Sequence, residues 1–360
     1  MNEVEYVFEL IRSLLYDTPP CELPDGVTFD SVYKLASDHS ISNMIFYAVE
    51  KLKKQPEGPL LSSWAEARDK ALVADITQLS ELELIKEAFT ENNIRFLPLK
   101  GSILKWLYPQ TDMRTMSDID ILIDEENAEK VKEIMVSLGY TSHNFGADVD
   151  DLYSKPPYMN IEVHRRLFGN IGNDFADVFS DPWSMCLPTD KCEKELCPEA
   201  FLAYIIAHGI KHYNLGGTGI RSFLDVFVYI CKEGPDIEKT ISILEGSGQS
   251  ELARDFIKLS QVWFGDEKAT DRTDKMTEYI LTSGTYGTME NEAENKIKTH
   301  GRAGYVLCLL FPSMEYMKEL YPIVRKYPFL YPVFWVVRLV TRPFKFRREN
   351  LIKLKRILKK

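Results

Sequence analysis

Asp118 and Asp120 open the run Asp-Ile-Asp-Ile-Leu-Ile at residues 118–123, in which isoleucine fills every second position. That is the period of a β-strand, so both carboxylates project from one face and can share a hard divalent cation such as Mg²⁺ or Mn²⁺, whose ligands are oxygens. Like charges so close repel unless something positive lies between them. A third carboxylate, Glu162, lies in Tyr158–His164, where Asn160, Glu162 and His164 alternate with Ile161 and Val163. On a neighbouring strand it would be a further metal ligand or the base that accepts the proton of an attacking hydroxyl. Upstream, Lys100-Gly101-Ser102 follows a short apolar run and precedes a predicted helix at Ile103–Tyr108. The glycine would let the backbone approach a polyphosphate, with N–H groups at the helix start and the Ser102 hydroxyl donating to it. Lys100 and Arg114 add positive charge, and a planar guanidinium suits phosphate oxygens. The chemistry these groups could share is in-line displacement at phosphorus under metal ions.

Positioning them requires strands, and the hydrophobic pattern supplies them. Ile94–Leu99, Asp118–Ile123 and Tyr158–His164 read as strands, and Glu125–Leu138, closed by Gly139, reads as a helix with Asp124 as its N-cap. On either side the period is helical: Val4–Leu15, Ser31–Ala36, Met44–Leu52 and Ala65–Phe89 before the strands, and Ala200–His212, Ile220–Lys232, Ile237–Leu244 and Leu252–Phe264 after them. The segmentation is residues 1–84, helical; 85–170, the α/β core; 171–336, helical; and 337–360, a basic C-terminal helix or tail.

Composition narrows the class. With 360 residues, 45% hydrophobic, the chain is long enough for a substantial core and unlike a disordered segment. Six cysteines without a C-x-x-C pair fit a reduced, cytoplasmic protein. No apolar stretch approaches the roughly 20 residues of a membrane-spanning helix. The net charge of −10 argues against a whole-protein nucleic-acid coat. It is unevenly spread, since residues 338–360 hold ten Lys and Arg against Glu349 alone, +9, and leave −19 on the rest. The basic end is read first as a helix packed on the acidic body, then as a peripheral contact with an anionic membrane or with RNA.

Phe96-Leu97-Pro98-Leu99-Lys100-Gly101-Ser102, Arg114-Thr115-Met116-Ser117-Asp118-Ile119-Asp120-Ile121-Leu122-Ile123 and Ile161-Glu162-Val163-His164 resemble the uncharacterised nucleotidyltransferase family of the polymerase-beta-like superfamily. His208-Gly-Ile-Lys211-His212 and Arg221-Ser-Phe-Leu-Asp225 look like that family's helical segments. The resemblance implies an α+β fold with a small mixed sheet of nucleotidyltransferase type between helical regions. It also implies transfer of a nucleoside monophosphate from an NTP, with release of pyrophosphate, to an unidentified hydroxyl acceptor. By the same resemblance Asp118, Asp120 and Glu162 hold Mg²⁺ or Mn²⁺. Lys100, Gly101, Ser102 and Arg114 then face phosphates, and Lys211, His212 and Arg221 face nucleotide or acceptor. The rival readings are a toxin-like tRNA or protein nucleotidyltransferase, a glycosyltransferase using a nucleotide sugar, and a degenerate nucleotide-binding protein. His208 and His212 are read as packing rather than zinc ligands, Arg221 as a possible i,i+4 partner of Asp225, and Gly216-Gly217-Thr218-Gly219 as a turn.

Overall fold

The computed structural model describes residues 1–345 apart from 144, 147–148, 170–173, 285–290, 292–294, 296, 298–300, 303, 306 and 308–309. Three helices, α1 (Glu3–Leu15), α2 (Phe29–Asp38) and α3 (Ser42–Val49), lead into α4, the 34-residue helix Gly58–Glu91. Pro59 starts α4, where a missing N–H costs nothing. Its buried positions, Trp64, Ala71, Asp75, Gln78, Leu82, Ile85 and Phe89, recur every three, four or seven residues, so one stripe faces inward along the whole rod.

The sheet has five strands in the order β1-β2-β5-β4-β3: β1 Phe96–Pro98, β2 Ile119–Ile123, β3 Thr141–His143, β4 Asp150–Lys155 and β5 Met159–His164. Only β2 and β5 run parallel; the other pairs are antiparallel. Sequence periodicity finds β1, β2 and β5 but misses β3 and β4, whose residues are mostly polar. The helix expected at Glu125–Leu138 is a 3-10 turn followed by α6, Ala128–Ser137. Asp124 does not cap it: its carboxylate accepts from Arg95 at 2.5 and 2.9 Å. The predicted helix Ile103–Tyr108 is likewise split, into α5 (Gly101–Leu104) and a 3-10 turn at Lys105–Leu107.

After the sheet come α7 (Pro198–Leu215), α8 (Ile220–Glu233), α9 (Ile237–Leu244), α10 (Ser250–Phe264) and α11 (Asp271–Ser283). Two hydrophobic cores result. Ile119, Ile121 and Ile123, the apolar face of β2, pack with α6 and the end of α4 in the smaller one. In the larger, α1–α3 and the start of α4 share one core with α7–α10, so the helices before and after the sheet are packed on each other. His39 is one of the joints: buried, its Nδ1 accepts from the Ile220 N–H at 3.3 Å. Helix Tyr331–Lys345 packs on the preceding segment through aromatic rings, and residues 346–360 of the basic end lie outside the described residues, as does Cys308.

The segment between α5 and β2 is clamped from several sides. Lys105, buried, is ion-paired with Asp75 of α4, and Thr111 donates to the same carboxylate at 2.6 Å. Asn43 and Tyr47 of α3 bond the backbone and carboxylate of Asp112 at 2.7 and 2.8 Å, and Gln78 donates to the Met116 carbonyl at 3.0 Å. This anchoring fixes the backbone that leads into Asp118.

Candidate active site

The register of β2 against β5 sets Asp120 beside Glu162 and Leu122 beside His164. Because neighbours in register point to the same side, Asp120, Glu162 and His164 converge on the sheet face opposite the isoleucines. Their ligand atoms all lie within 4.8 Å of one another. Asp118 sits one residue before β2 and looks into the same space from its rim.

Over this face lies a cavity of about 440 Å³, closed by the Lys100–Gly101 turn, α7 and the start of α8. Lys100, Gly101, Arg114, Asp118, Asp120, Glu162, Lys211, His212 and Arg221 all line it. Ser102 does not: its hydroxyl is buried with no hydrogen-bond partner among the described residues, and its N–H is spent on the Leu99 carbonyl at 3.2 Å.

Lys100 reaches the centre through an unusual backbone, φ 45° and ψ −116°, a region that costs a non-glycine residue on the order of 1–3 kcal/mol. The conformation swings the ammonium inward to 2.6 Å from Asp120 Oδ1. Burial disfavours that charge, but Tyr204, Asp120 and Asp118 outweigh it and hold the ammonium pKa above its ordinary value. His164 Nε2 meets the same Asp120 oxygen at 2.8 Å. Against the burial that would raise it, Lys100 and His164 hold Asp120 well below the usual carboxylate range. Glu162 goes the other way: burial, then the charges of Asp118 and Asp120, push its carboxyl up to about 7. Even with Lys100 and His164 present, the cluster is short of positive charge, which fits a divalent cation held by carboxylate oxygens.

Gly101 matters for a reason other than backbone freedom. A Cβ there would come within 2.6 Å of Met116 Cγ and Sδ and 3.4 Å of an Arg114 nitrogen, so the residue lets two chain segments pass in contact. Arg114, though it lines the cavity, is held by protein groups. Its buried guanidinium donates to both Asp225 oxygens at 2.8 Å, and Nη1 donates to the Thr115 carbonyl at 2.6 Å. Tyr108 donates to Asp225 at 2.7 Å. Asp225 thus serves Arg114 and Tyr108, while Arg221 donates to Thr115 at 3.0 and 3.1 Å. A guanidinium four residues before the Asp-x-Asp invites a ligand reading; its partner, 111 residues on, is invisible to spacing.

Beyond the expected His212, the wall holds Tyr204, His208 and the Thr218-Gly219 turn, which the sequence did not place there. Tyr204 and His208 project from α7 into the cavity, but α7 is buried almost all round from Ala200 to Ala207, so no amphipathic face marks them. His208 and His212 bring their Nε2 atoms to 3.2 Å of each other and line the site, where burial and nearby cations push His212 down to about 4 and His208 well below its usual value. Thr218-Gly219, the end of the glycine-rich turn, places the N-terminus of α8 on the cavity wall.

The family described as "Uncharacterised nucleotidyltransferase" matches residues 25–265, a span that contains every one of these groups. The chain belongs to that family. It is a nucleotidyltransferase with an α+β fold and a mixed sheet. Among solved structures, that of the antibiotic-resistance factor ANT(2'')-Ia is similar at 15% identity, over 50% of this chain and 95% of that one, with a TM-score of 0.38. No curated protein matches the nucleotidyltransferase. None of its described helices is long and apolar enough to cross a membrane.

Proposed function

We propose that this nucleotidyltransferase moves a nucleoside monophosphate from an NTP to a hydroxyl of a small molecule or protein, releasing pyrophosphate. The observation that carries the reading is the in-register pair Asp120 and Glu162, with Asp118 at the rim, on the wall of an open cleft. A divalent cation bound by Asp118, Asp120 and Glu162 would neutralise the phosphates and stabilise charge on the attacking and leaving oxygens. His164 holds the Asp120 carboxylate in place through its 2.8 Å contact. Lys100 supplies a fixed positive charge beside the α-phosphate position. The α8 N-terminus, with Lys211 and Arg221 on the same wall, favours the anionic β- and γ-phosphates. The acceptor oxygen attacks the α-phosphorus, the bond to the bridging oxygen breaks, and the hydroxyl proton passes to a carboxylate of the cluster. Arg114 and Asp225 position the 115–118 segment and touch no substrate. Gly101-Ser102 form the tight turn that aims Lys100, rather than a phosphate cradle.

The test is thermal stability with ATP, GTP, CTP, UTP and UDP-sugars, each with and without Mg²⁺, for the wild type and Asp118→Asn/Asp120→Asn. A ligand at about 100 times its dissociation constant adds ~2.7 kcal/mol. An Mg²⁺-dependent shift with an NTP, lost in the variant, is expected. Shifts with UDP-sugars alone would replace this reading by glycosyl transfer, and Mg²⁺-independent shifts that survive the double change would remove the carboxylates from the site.

A further inference from the structure

Helix Tyr331–Lys345 has two unlike faces, and the outer one is apolar. Its inner face docks on residues 310–321. Tyr331 donates to the Pro312 carbonyl at 2.6 Å and Trp335 Nε1 to the Leu310 carbonyl at 2.7 Å. Phe334 packs on Tyr321, and Arg338, only 4% exposed, lies over the Tyr316 ring at 5.9 Å. These positions, i, i+3, i+4 and i+7, form one stripe. The stripe facing solvent is Val333, Val336, Val337 and Val340, exposed by 56, 51, 37 and 60%. A water-facing helix normally turns its charges outward; here the mid-helix arginine points in and four valines point out. Phe329, just before the helix, is 76% exposed.

The sequence that follows is strongly basic: Arg342, Lys345, Arg347 and Arg348 come first, and the ten basic residues of 338–360 are opposed by Glu349 alone. An apolar stripe continuous with a basic run is the composition that partitions into the headgroup boundary of an anionic bilayer, where aliphatic burial and charge attraction add. The helix has 15 residues, too short to span and long enough to lie in the plane. Two other occupants fit less well. Single-stranded RNA binds stacking rings and hydrogen-bond donors, and valine offers neither. A second copy seated on this stripe would bring a second basic segment of charge +9, with no acidic residue in 331–345 to offset it.

We propose that Val333, Val336, Val337 and Val340, together with the basic residues that follow them, seat the protein peripherally on an anionic lipid surface. Flotation of the full chain with phosphatidylcholine vesicles, and with vesicles in which about a third of the lipid is phosphatidylserine, tests it. Binding to the second kind only, released by ~0.5 M salt, is expected. V333S/V336S/V337S/V340S should weaken it at least about tenfold with an unchanged melting temperature. K353Q/K355Q/R356Q/K359Q/K360Q should weaken it as well, and remains informative should the valine variant misfold. Equal binding to both vesicle types, or full binding by a folded valine variant, would overturn the proposal. So would a salt-stable dimer that the valine change dissociates without any vesicle binding, or capture of an RNA oligonucleotide in place of vesicles.

Discussion

Replacing Asp225 by alanine strands the buried guanidinium of Arg114. In the native fold three N–H···O contacts of 2.8–3.1 Å join the two, and Tyr108 adds a fourth at 2.7 Å. Removing one partner of such a pair typically costs about 3–5 kcal/mol, because the remaining charge stays desolvated without compensation. Arg114→Ala should cost a similar amount, since Asp225 then keeps only Tyr108. The double variant leaves neither charge and should lose far less than the sum, giving a coupling of at least ~2 kcal/mol. Urea unfolding of the four proteins measures this directly, provided the slope stays constant across the set. The same proteins separate stability from function. Arg114 also bonds the Thr115 carbonyl, three residues before Asp118. A displacement of ~1 Å there is enough to lower transfer about 100-fold, so the double variant should regain stability without regaining nucleotidyl transfer. Additivity of the single changes within ~0.5 kcal/mol would show that the pair is not a unit and refute the argument.

Acid should destabilise the fold through His39. Burial, against weaker opposing pulls from Asp38 and the Leu281 backbone, lowers its pKa from 6.5 to about 4, so between those values the unfolded chain binds a proton that the fold refuses. Stability is therefore full above pH 6.5 and declines as pH falls to about 4, by ~3 kcal/mol at 1.36 kcal/mol per pH unit. His39→Asn, which keeps an acceptor for the Ile220 N–H, should show a shallower decline in pH-dependent urea midpoints; an unchanged slope would exclude His39 as its source. Gly101→Ala should cost roughly 1–3 kcal/mol from overpacking against Met116 and be largely rescued by Met116→Ala. Loss of nucleotide binding with unchanged stability would instead return Gly101 to phosphate contact.

What the sequence made legible was whatever depends on local period. The Asp-Ile-Asp-Ile-Leu-Ile alternation yields β2 and its two faces, and Asn-Ile-Glu-Val-His places Glu162 and His164 together. What it hid depends on distant partners. β4 reads Asp-Asp-Leu-Tyr-Ser-Lys, a polar string, because the charge that lets Asp151 be buried comes from Arg165, at 2.7–3.1 Å. The pairing of Arg114 with Asp225 was hidden because nothing nearby in sequence revealed it. Ser102 followed a glycine after a strand, as a phosphate-binding serine would, yet the tight turn directs it inward. Lys100 lines the cavity, but its approach to Asp120 depends on a positive φ that no neighbouring residue announces.

The strand order carries a consequence for synthesis. β5 lies between β2 and β4, so a chain emerging from its N-terminus can pair β1 with β2 while the centre of the sheet is still missing. Parallel neighbours cannot be joined by a tight turn, and here the connection from β2 to β5 contains α6, β3 and β4. Asp120 therefore waits for Glu162 and His164, and Arg114 waits longer for Asp225. A nascent chain cannot bring Asp120, Glu162 and His164 together until the last central strand inserts, and has no locked approach to Asp118 until α8 has docked. The competence to handle nucleotides thus becomes a late checkpoint of folding, reached only when both halves of the helical core have been made.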